Sequence, residues 1–230
     1  MLTTKINNTT GFIVNSILFF LIWFVVYFYF IVPQTDIDLI LSNMLVKCSD
    51  ILLSFLGFET YSSYTEGMVI IALKGTDGNG VWIGNNCNGL NLFALFTFYC
   101  LSFSKEKEIR LKRLITNWIP VVFSIAIIIF FYNINYTLNI FLNFMLISSF
   151  LFICLNKLNL KKLLFLISGI FIIHLVNIIR TSALTYMEKE YREYLDFNHN
   201  YTFQLIVYGV VFILWYYWTV KFILKNESKK

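Results

Sequence analysis

Charge is scarce in this sequence. Only 13% of its 230 residues are Asp, Glu, Lys or Arg, whereas a water-soluble domain carries about 25% because its surface must be hydrated. With 58% hydrophobic residues, most of the surface must face something apolar, which excludes an ordinary soluble fold. Proline is nearly missing. Pro33 and Pro120 are the two present, so long stretches are free to form unbroken helix. Cysteine and histidine are too few and too scattered for a zinc centre: Cys48, Cys87, Cys100 and Cys154 show no CxxC spacing, and His174 and His199 stand alone. No metal or cofactor is expected. The formal net charge is +5, but the basic residues fall in short clusters between apolar runs and build no broad cationic face, so no nucleic-acid partner is expected.

What the chain has in abundance is long apolar runs, with 25 Phe, 14 Tyr and 5 Trp concentrated near their ends, where lipid headgroups favour aromatic rings. Crossing about 30 Å of hydrocarbon takes roughly 20 helical residues. Six stretches qualify as spans: 13–32, 88–103, 114–132, 137–155, 163–181 and 202–222. The second is short, and the polar "NNCNG" before it points to a recess lined by protein. The first run ends in aromatics and Pro33 without the small residues of a cleavage site, so it is expected to be retained.

Lysine and arginine orient the chain. With the N-terminus inside, thirteen of the eighteen basic residues lie inside, in the first dozen residues, in 104–113, in 156–162 and in the tail from Lys221. Lys47, Lys74, Arg180, Lys189 and Arg192 fall outside. Both termini are therefore expected in the cytoplasm. The longest outer segment is 34–86. Ile37, Leu41, Leu45, Cys48, Leu52 and Phe55 recur there at spacings of three and four, predicting an amphipathic helix at the membrane. Lys47 and Asp50 argue against its full insertion. "MVIIAL", a Gly/Asp/Asn-rich turn and "VWIG" predict a short β-hairpin. The expected fold is an all-α polytopic membrane protein, a single membrane-embedded domain over 1–230. It has about six transmembrane helices and a small extracytoplasmic cap.

This threading brings three chemically competent residues to one level on the outer side: Cys87 at the mouth of span two, Arg180 closing span five and His199 opening span six. A cysteine attacks as its thiolate, which a helix N-terminus and a nearby cation both favour. Asn88 and Gly89 allow the sharp turn that frees N–H groups for a developing negative charge. Asn86 adds to the polar crowding around the thiol, and Asn200 flanks the histidine. His199 is placed to take the thiol proton and return it to a leaving amine. Arg180 is suited to holding an oxyanion or a substrate carboxylate, and Asn177, one turn before it, to orienting the guanidinium or capping a buried contact. Each residue alone also has a structural reading: Cys87 as a small hydrophobe, Arg180 as an interfacial anchor, His199 as a loop residue. His174 is six positions from Arg180, roughly 240° around the helix, and reads as a packing residue. Glu188, Glu190, Glu193 and Asp196 read as a solvated acidic face.

"CNGLNLF" at 87–93, "GIFIIHLVNIIRTSAL" at 169–184 and "FNHNYTFQLIVYGVVFILWYYW" at 197–218 resemble the exosortase/archaeosortase family, particularly its Bacteroidetes-type members. The resemblance implies a membrane-embedded cysteine transpeptidase or protease with Cys87, Arg180 and His199 as its catalytic residues. It further implies substrates that are exported proteins ending in a short motif, a transmembrane helix and a basic tail. The thioester would be resolved by water or by a cell-surface amine. The expected location is a bacterial cytoplasmic membrane, in contact with its lipids, with the site facing the exterior. Cys87 and Arg180 stand 93 positions apart with the two runs at 114–155 between them, an even number of crossings that keeps Arg180 outside. A non-enzymatic membrane scaffold, a transporter or channel, and an enzyme of other chemistry, such as acyl transfer to a thiol in the membrane, are the rival readings.

Overall fold

The computed structural model describes residues 5–65, 67–76, 80–102, 108–110 and 160–224. The expected spans at 114–132 and 137–155, and Cys154, lie outside the described residues. In chain order the elements are β1 (Lys5–Asn7), α1 (Asn8–Val26), α2 (Ile37–Phe55), β2 (Thr60–Thr65), β3 (Met68–Leu73), β4 (Val81–Ile83), α3 (Leu90–Ser102), β5 (Glu108–Arg110), α4 (Leu160–Glu190) and α5 (Phe203–Trp218). A wider π-helical turn, Tyr27–Ile31, and the short helix Val32–Gln34 extend α1, and another π turn, Thr219–Leu224, extends α5.

Three helical runs among the described residues are long and apolar enough to cross a membrane: Thr10–Gln34, Leu160–Glu190 and Arg192–Ile223. Within the last, the apolar stretch begins after Asn200. Their surfaces are inside-out relative to a soluble protein. Along α4 the exposed side chains include Ile167, Phe171, Ile172, Leu175 and Ile179, while His174, Asn177, Arg180 and Thr181 are buried. Along α5, Leu205, Ile206, Phe212, Ile213 and Tyr216 are exposed. In water such faces would be costly at about 25 cal/mol per Å² of apolar surface. Against lipid they are at equilibrium, and polar groups belong on the protein side. The chain has the surface of a membrane protein.

Within the expected second span, already short by sequence, α3 begins at Leu90, and its 13 described residues cover about 20 Å at 1.5 Å each. α4 is longer than expected, with 31 residues. It continues past the apolar run through "SALTYMEKE", whose residues are mostly good helix formers. Arg180 therefore closes the apolar run without closing the helix.

The chain divides into two compact units. One comprises Met1–Thr35, Ala94–Leu166 and Trp218–Lys230. Within it β1 and β5 pair antiparallel, Lys5 opposite Arg110 and Asn7 opposite Glu108. Asn15, buried in the apolar stretch of α1, donates from Nδ2 to the Ser102 carbonyl at 3.1 Å, which satisfies a polar group that lipid could not. Phe19 stacks on Phe98 with ring centroids 5.6 Å apart, Trp218 packs on Phe165, and the Lys162 ammonium lies 5.5 Å from the Trp218 ring.

The other unit comprises Asp36–Phe93 and Ile167–Tyr217. Its centre is a three-stranded antiparallel sheet in the order β2-β3-β4. The expected hairpin is present, with Val69 opposite Ile83 and Ile71 opposite Val81. A third strand, "TYSSYT", joins it, pairing Thr60 with Leu73 through Thr65 with Met68. Every residue of β3 from Val69 to Leu73 is buried, as its unbroken apolar run requires of a central strand. Leu45, Val46 and Leu53 of α2 pack with Val69, Ile71, Leu73, Val81 and Ile83 of the sheet and with Ile178 and Leu184 of α4.

α2 is the amphipathic helix expected. Its buried face is Asp38, Ser42, Leu45, Val46, Ser49 and Leu53, while Ile37 and Phe55 of the apolar stripe expected at the membrane are exposed. Half of that buried face is polar because it meets polar partners. Ser49 Oγ approaches the Ile178 carbonyl at 3.5 Å, and Asp38 is engaged by Asn88. Thr60 donates to the Asp50 carboxyl, fastening the end of α2 to β2. At the solvent edge Lys74 pairs with Glu59 at 2.8 Å, which holds the Glu59 carboxyl below the usual range.

Candidate active site

Cys87 sits in a turn three residues before α3. Its N–H donates to the Gly84 carbonyl at 2.9 Å, closing the turn that follows β4. Its carbonyl oxygen accepts from Asn177 Nδ2 at 2.9 Å. The side chain is half-buried and packs against the core formed by the sheet and α2. Cys48, Cys87 and Cys100 are free thiols.

The residues after Cys87 fix the chain direction. Asn88 is fully buried, at 0% exposure. Its Nδ2 donates to Asp38 Oδ1 at 2.5 Å and to the Asp38 carbonyl at 3.2 Å, while its Oδ1 accepts from the Leu90 N–H at 3.0 Å. That last bond satisfies one of the N–H groups left free at the start of a helix. Gly89 follows at φ +93°, and a Cβ there would lie 3.2 Å from both Asn177 Nδ2 and Phe93 Cζ. The expected sharp turn at Asn88–Gly89 is therefore present. It depends on glycine for conformation and for space.

Arg180 lies on α4 one turn beyond Asn177 and is 9% exposed. Its Nε has no hydrogen-bond partner. Of the two roles expected of Asn177 the structure shows the capping one: its amide caps the Cys87 carbonyl, and its Oδ1 has no partner and does not orient the guanidinium. His199 stands in the π turn Asn198–Thr202, half-buried and ahead of the apolar stretch of α5. Burial and then the Arg180 charge lower its pKa below the ordinary imidazole value, opposed by a side-chain hydrogen bond to Asn200 and by the Asp196 carboxylate. The neutral imidazole this favours is the form that accepts a proton. Asn86 and Asn200 are exposed.

The fold thus brings Cys87 against the helix that carries Arg180, and Arg180 within electrostatic reach of His199. It does not join them directly: among the described residues no hydrogen bond links the Cys87 thiol to His199 or to Arg180. The arrangement offers a thiol, a guanidinium with an unused donor and a neutral imidazole in one unit. A group needing all three would have to complete it. No cluster of three metal-ligating side chains occurs among the described residues.

His174 packs edge-on against Phe93 with ring centroids 6.2 Å apart, the packing contact its position predicts. Glu190, Glu193 and Asp196 are exposed as expected, whereas Glu188 is buried, with Arg192 4.0 Å away. Sequence reasoning missed Asp38. Its one local signal is an acidic residue in the first turn of an amphipathic helix, which ordinarily marks a solvated helix start. Its partner lies 50 residues further on. No protein-family model, no curated protein and no solved structure matches this chain.

Proposed function

We propose that the chain is an exosortase-like cysteine peptidase or transpeptidase of the bacterial cytoplasmic membrane. In this reading it has six spans, both termini in the cytoplasm and its site at the outer membrane boundary. The observation that carries it is the Asn177–Cys87 hydrogen bond, which seats α4 against the cysteine turn one helical turn from Arg180, itself coupled electrostatically to His199. The pairing of β1 with β5 supports the threading, because it joins two segments that the lysine and arginine bias assigns to the same side.

A substrate's C-terminal helix lies beside the bundle in lipid and presents the preceding motif to Cys87. The Cys87 sulfur adds to the scissile carbonyl carbon as its proton passes to His199. Arg180 balances the charge that develops on the carbonyl oxygen. The C–N bond then breaks, His199 returns the proton to the departing nitrogen, and a thioester remains on Cys87. Water, or an external amine, attacks the thioester carbon. The C–S bond breaks, the thiol regains a proton and the product is a free carboxylate or a new amide.

The test compares cells producing the wild-type chain with cells producing Cys87→Ala. The readout is mass spectrometry of the C-terminal peptides of exported proteins that end in an apolar helix and a basic tail. Wild type removes these peptides and Cys87→Ala retains them. Equal processing by both overturns the proposal and leaves the scaffold and transporter readings.

A further inference from the structure

Building on the peptidase reading, we infer that Asp38 is a positioning residue for the nucleophile turn, holding Cys87 in register through Asn88. The Asn88 side chain has two ends, and the structure uses both. Its carbonyl end takes the first N–H of α3, and its amide end is held by Asp38, side chain and main chain together. Asn88 is fully enclosed and Asp38 is 6% exposed, so no water substitutes if one end is lost. A buried polar group left unpaired is destabilising in a way that a surface group is not. Asp38 belongs to α2, whose other side chains pack on the sheet. The cysteine turn is therefore held from two directions: by α4 through Asn177 and by α2 through Asp38. A displacement of about 1 Å at a reacting atom lowers rates on the order of a hundredfold, so an anchor one residue from the thiol acts on the reaction without touching the substrate.

The acceptor at Asp38 and the donor at Asn88 define the test, because the pair can be reversed. In Asp38→Ala the amide end of Asn88 loses its side-chain acceptor. In Asn88→Asp two carboxyl groups face each other with no N–H between them. In the double variant Asp38→Asn/Asn88→Asp a side-chain donor and acceptor meet again and residue 88 still accepts from Leu90, but the residue-38 carbonyl is left without the donor it has in the wild type. Asp38→Asn alone keeps an acceptor oxygen.

The full-length chain in lipid nanodiscs is followed by amide hydrogen exchange over 84–93 and over β3. Processing per chain is followed in cells by the C-terminal peptides described above. Asp38→Ala and Asn88→Asp exchange at least tenfold faster over 84–93 with β3 unchanged, and process at least tenfold more slowly. The double variant regains part of both, being better than Asn88→Asp but short of wild type, and Asp38→Asn stays within about threefold of wild type.

Unchanged exchange over 84–93 in Asp38→Ala overturns the inference. So does faster exchange that includes β3, which is the mark of a general role in the fold. Local exchange with processing intact also overturns it, as does a double variant no better than Asn88→Asp. If Cys87→Ala itself processes substrates, the peptidase reading fails and takes the catalytic half of the inference with it. The exchange result then still reports whether Asp38 holds the turn.

Discussion

Gly89→Ala is the substitution whose cost follows most directly from the geometry of the turn. An alanine at φ +93° sits in the left-handed region that L side chains avoid, at about 1–2 kcal/mol. Its Cβ also arrives 3.2 Å from Asn177 Nδ2 and from Phe93 Cζ. The Asn177 amide has little freedom to retreat, because the same nitrogen is committed to the Cys87 carbonyl at 2.9 Å. Displacing it leaves buried groups unpaired, at about 1–3 kcal/mol. The sum is about 2–5 kcal/mol.

Gly57 provides the control. It has φ +87° with nothing within 4 Å of the added Cβ, so Gly57→Ala costs only the backbone strain of about 1–2 kcal/mol. Denaturant unfolding of the full-length variants in mixed micelles measures both. Gly89→Ala is expected to be the more costly by about 1–3 kcal/mol, with processing reduced in step. If the two alanines cost the same, the close approach of Asn177 to the turn is not part of the native structure and the reasoning about the site fails with it.

Two further outcomes follow from the same unit. Ile71 is wholly buried between its neighbours Ser62 and Val81, so Ile71→Ala costs about 2–5 kcal/mol in the same unfolding assay; a cost under about 1 kcal/mol contradicts a packed sheet core. His199 has its pKa lowered by burial first and by Arg180 second, so acylation by diethyl pyrocarbonate, which needs the neutral ring, falls off only as pH drops below the ordinary imidazole range. Arg180→Gln removes the second cause and leaves the first, so the midpoint moves up part of the way. A midpoint that Arg180→Gln leaves in place shows that the two groups are not neighbours.

The elements legible in the sequence are those whose local pattern already carries the physics. A run of twenty apolar residues has few soluble alternatives, so the helices over 13–32, 163–181 and 202–222 are recovered. β3 and β4 are recovered because apolar runs bounded by glycines and joined by a Gly/Asp/Asn-rich turn mark a hairpin, the unbroken one, β3, suiting the central strand. β2 could not be read: Tyr61–Thr65 is exposed throughout, so no alternation marks it, and it is a strand only because β3 offers an edge to pair with. The continuation of α4 to Glu190 was missed because counting apolar residues finds where lipid ends, which is not where a helix must end. The protein-facing side of α2 was missed for a related reason. The apolar stripe marks only the face expected at the membrane, while Asp38 and Ser49 are buried by partners 50 and 129 positions away in the chain.

These misses share a cause that bears on the site. A helix in lipid needs no apolar face turned inward, so α4 is free to turn its polar residues toward protein, and those residues then require partners from the rest of the unit. The cysteine turn is such a partner: Asn177 is satisfied by the Cys87 carbonyl, and Arg180 follows one turn later on the same rigid helix. One rotation of α4 therefore sets both residues. A shift that took Arg180 from its place would also break the bond that holds Cys87, so the two cannot drift apart independently. The cap holds the opposite side of the turn through α2. The cysteine turn is thus held by α4 through the Cys87 carbonyl and by α2 through Asn88, which makes its position a property of the whole unit and hides it from any single stretch of sequence.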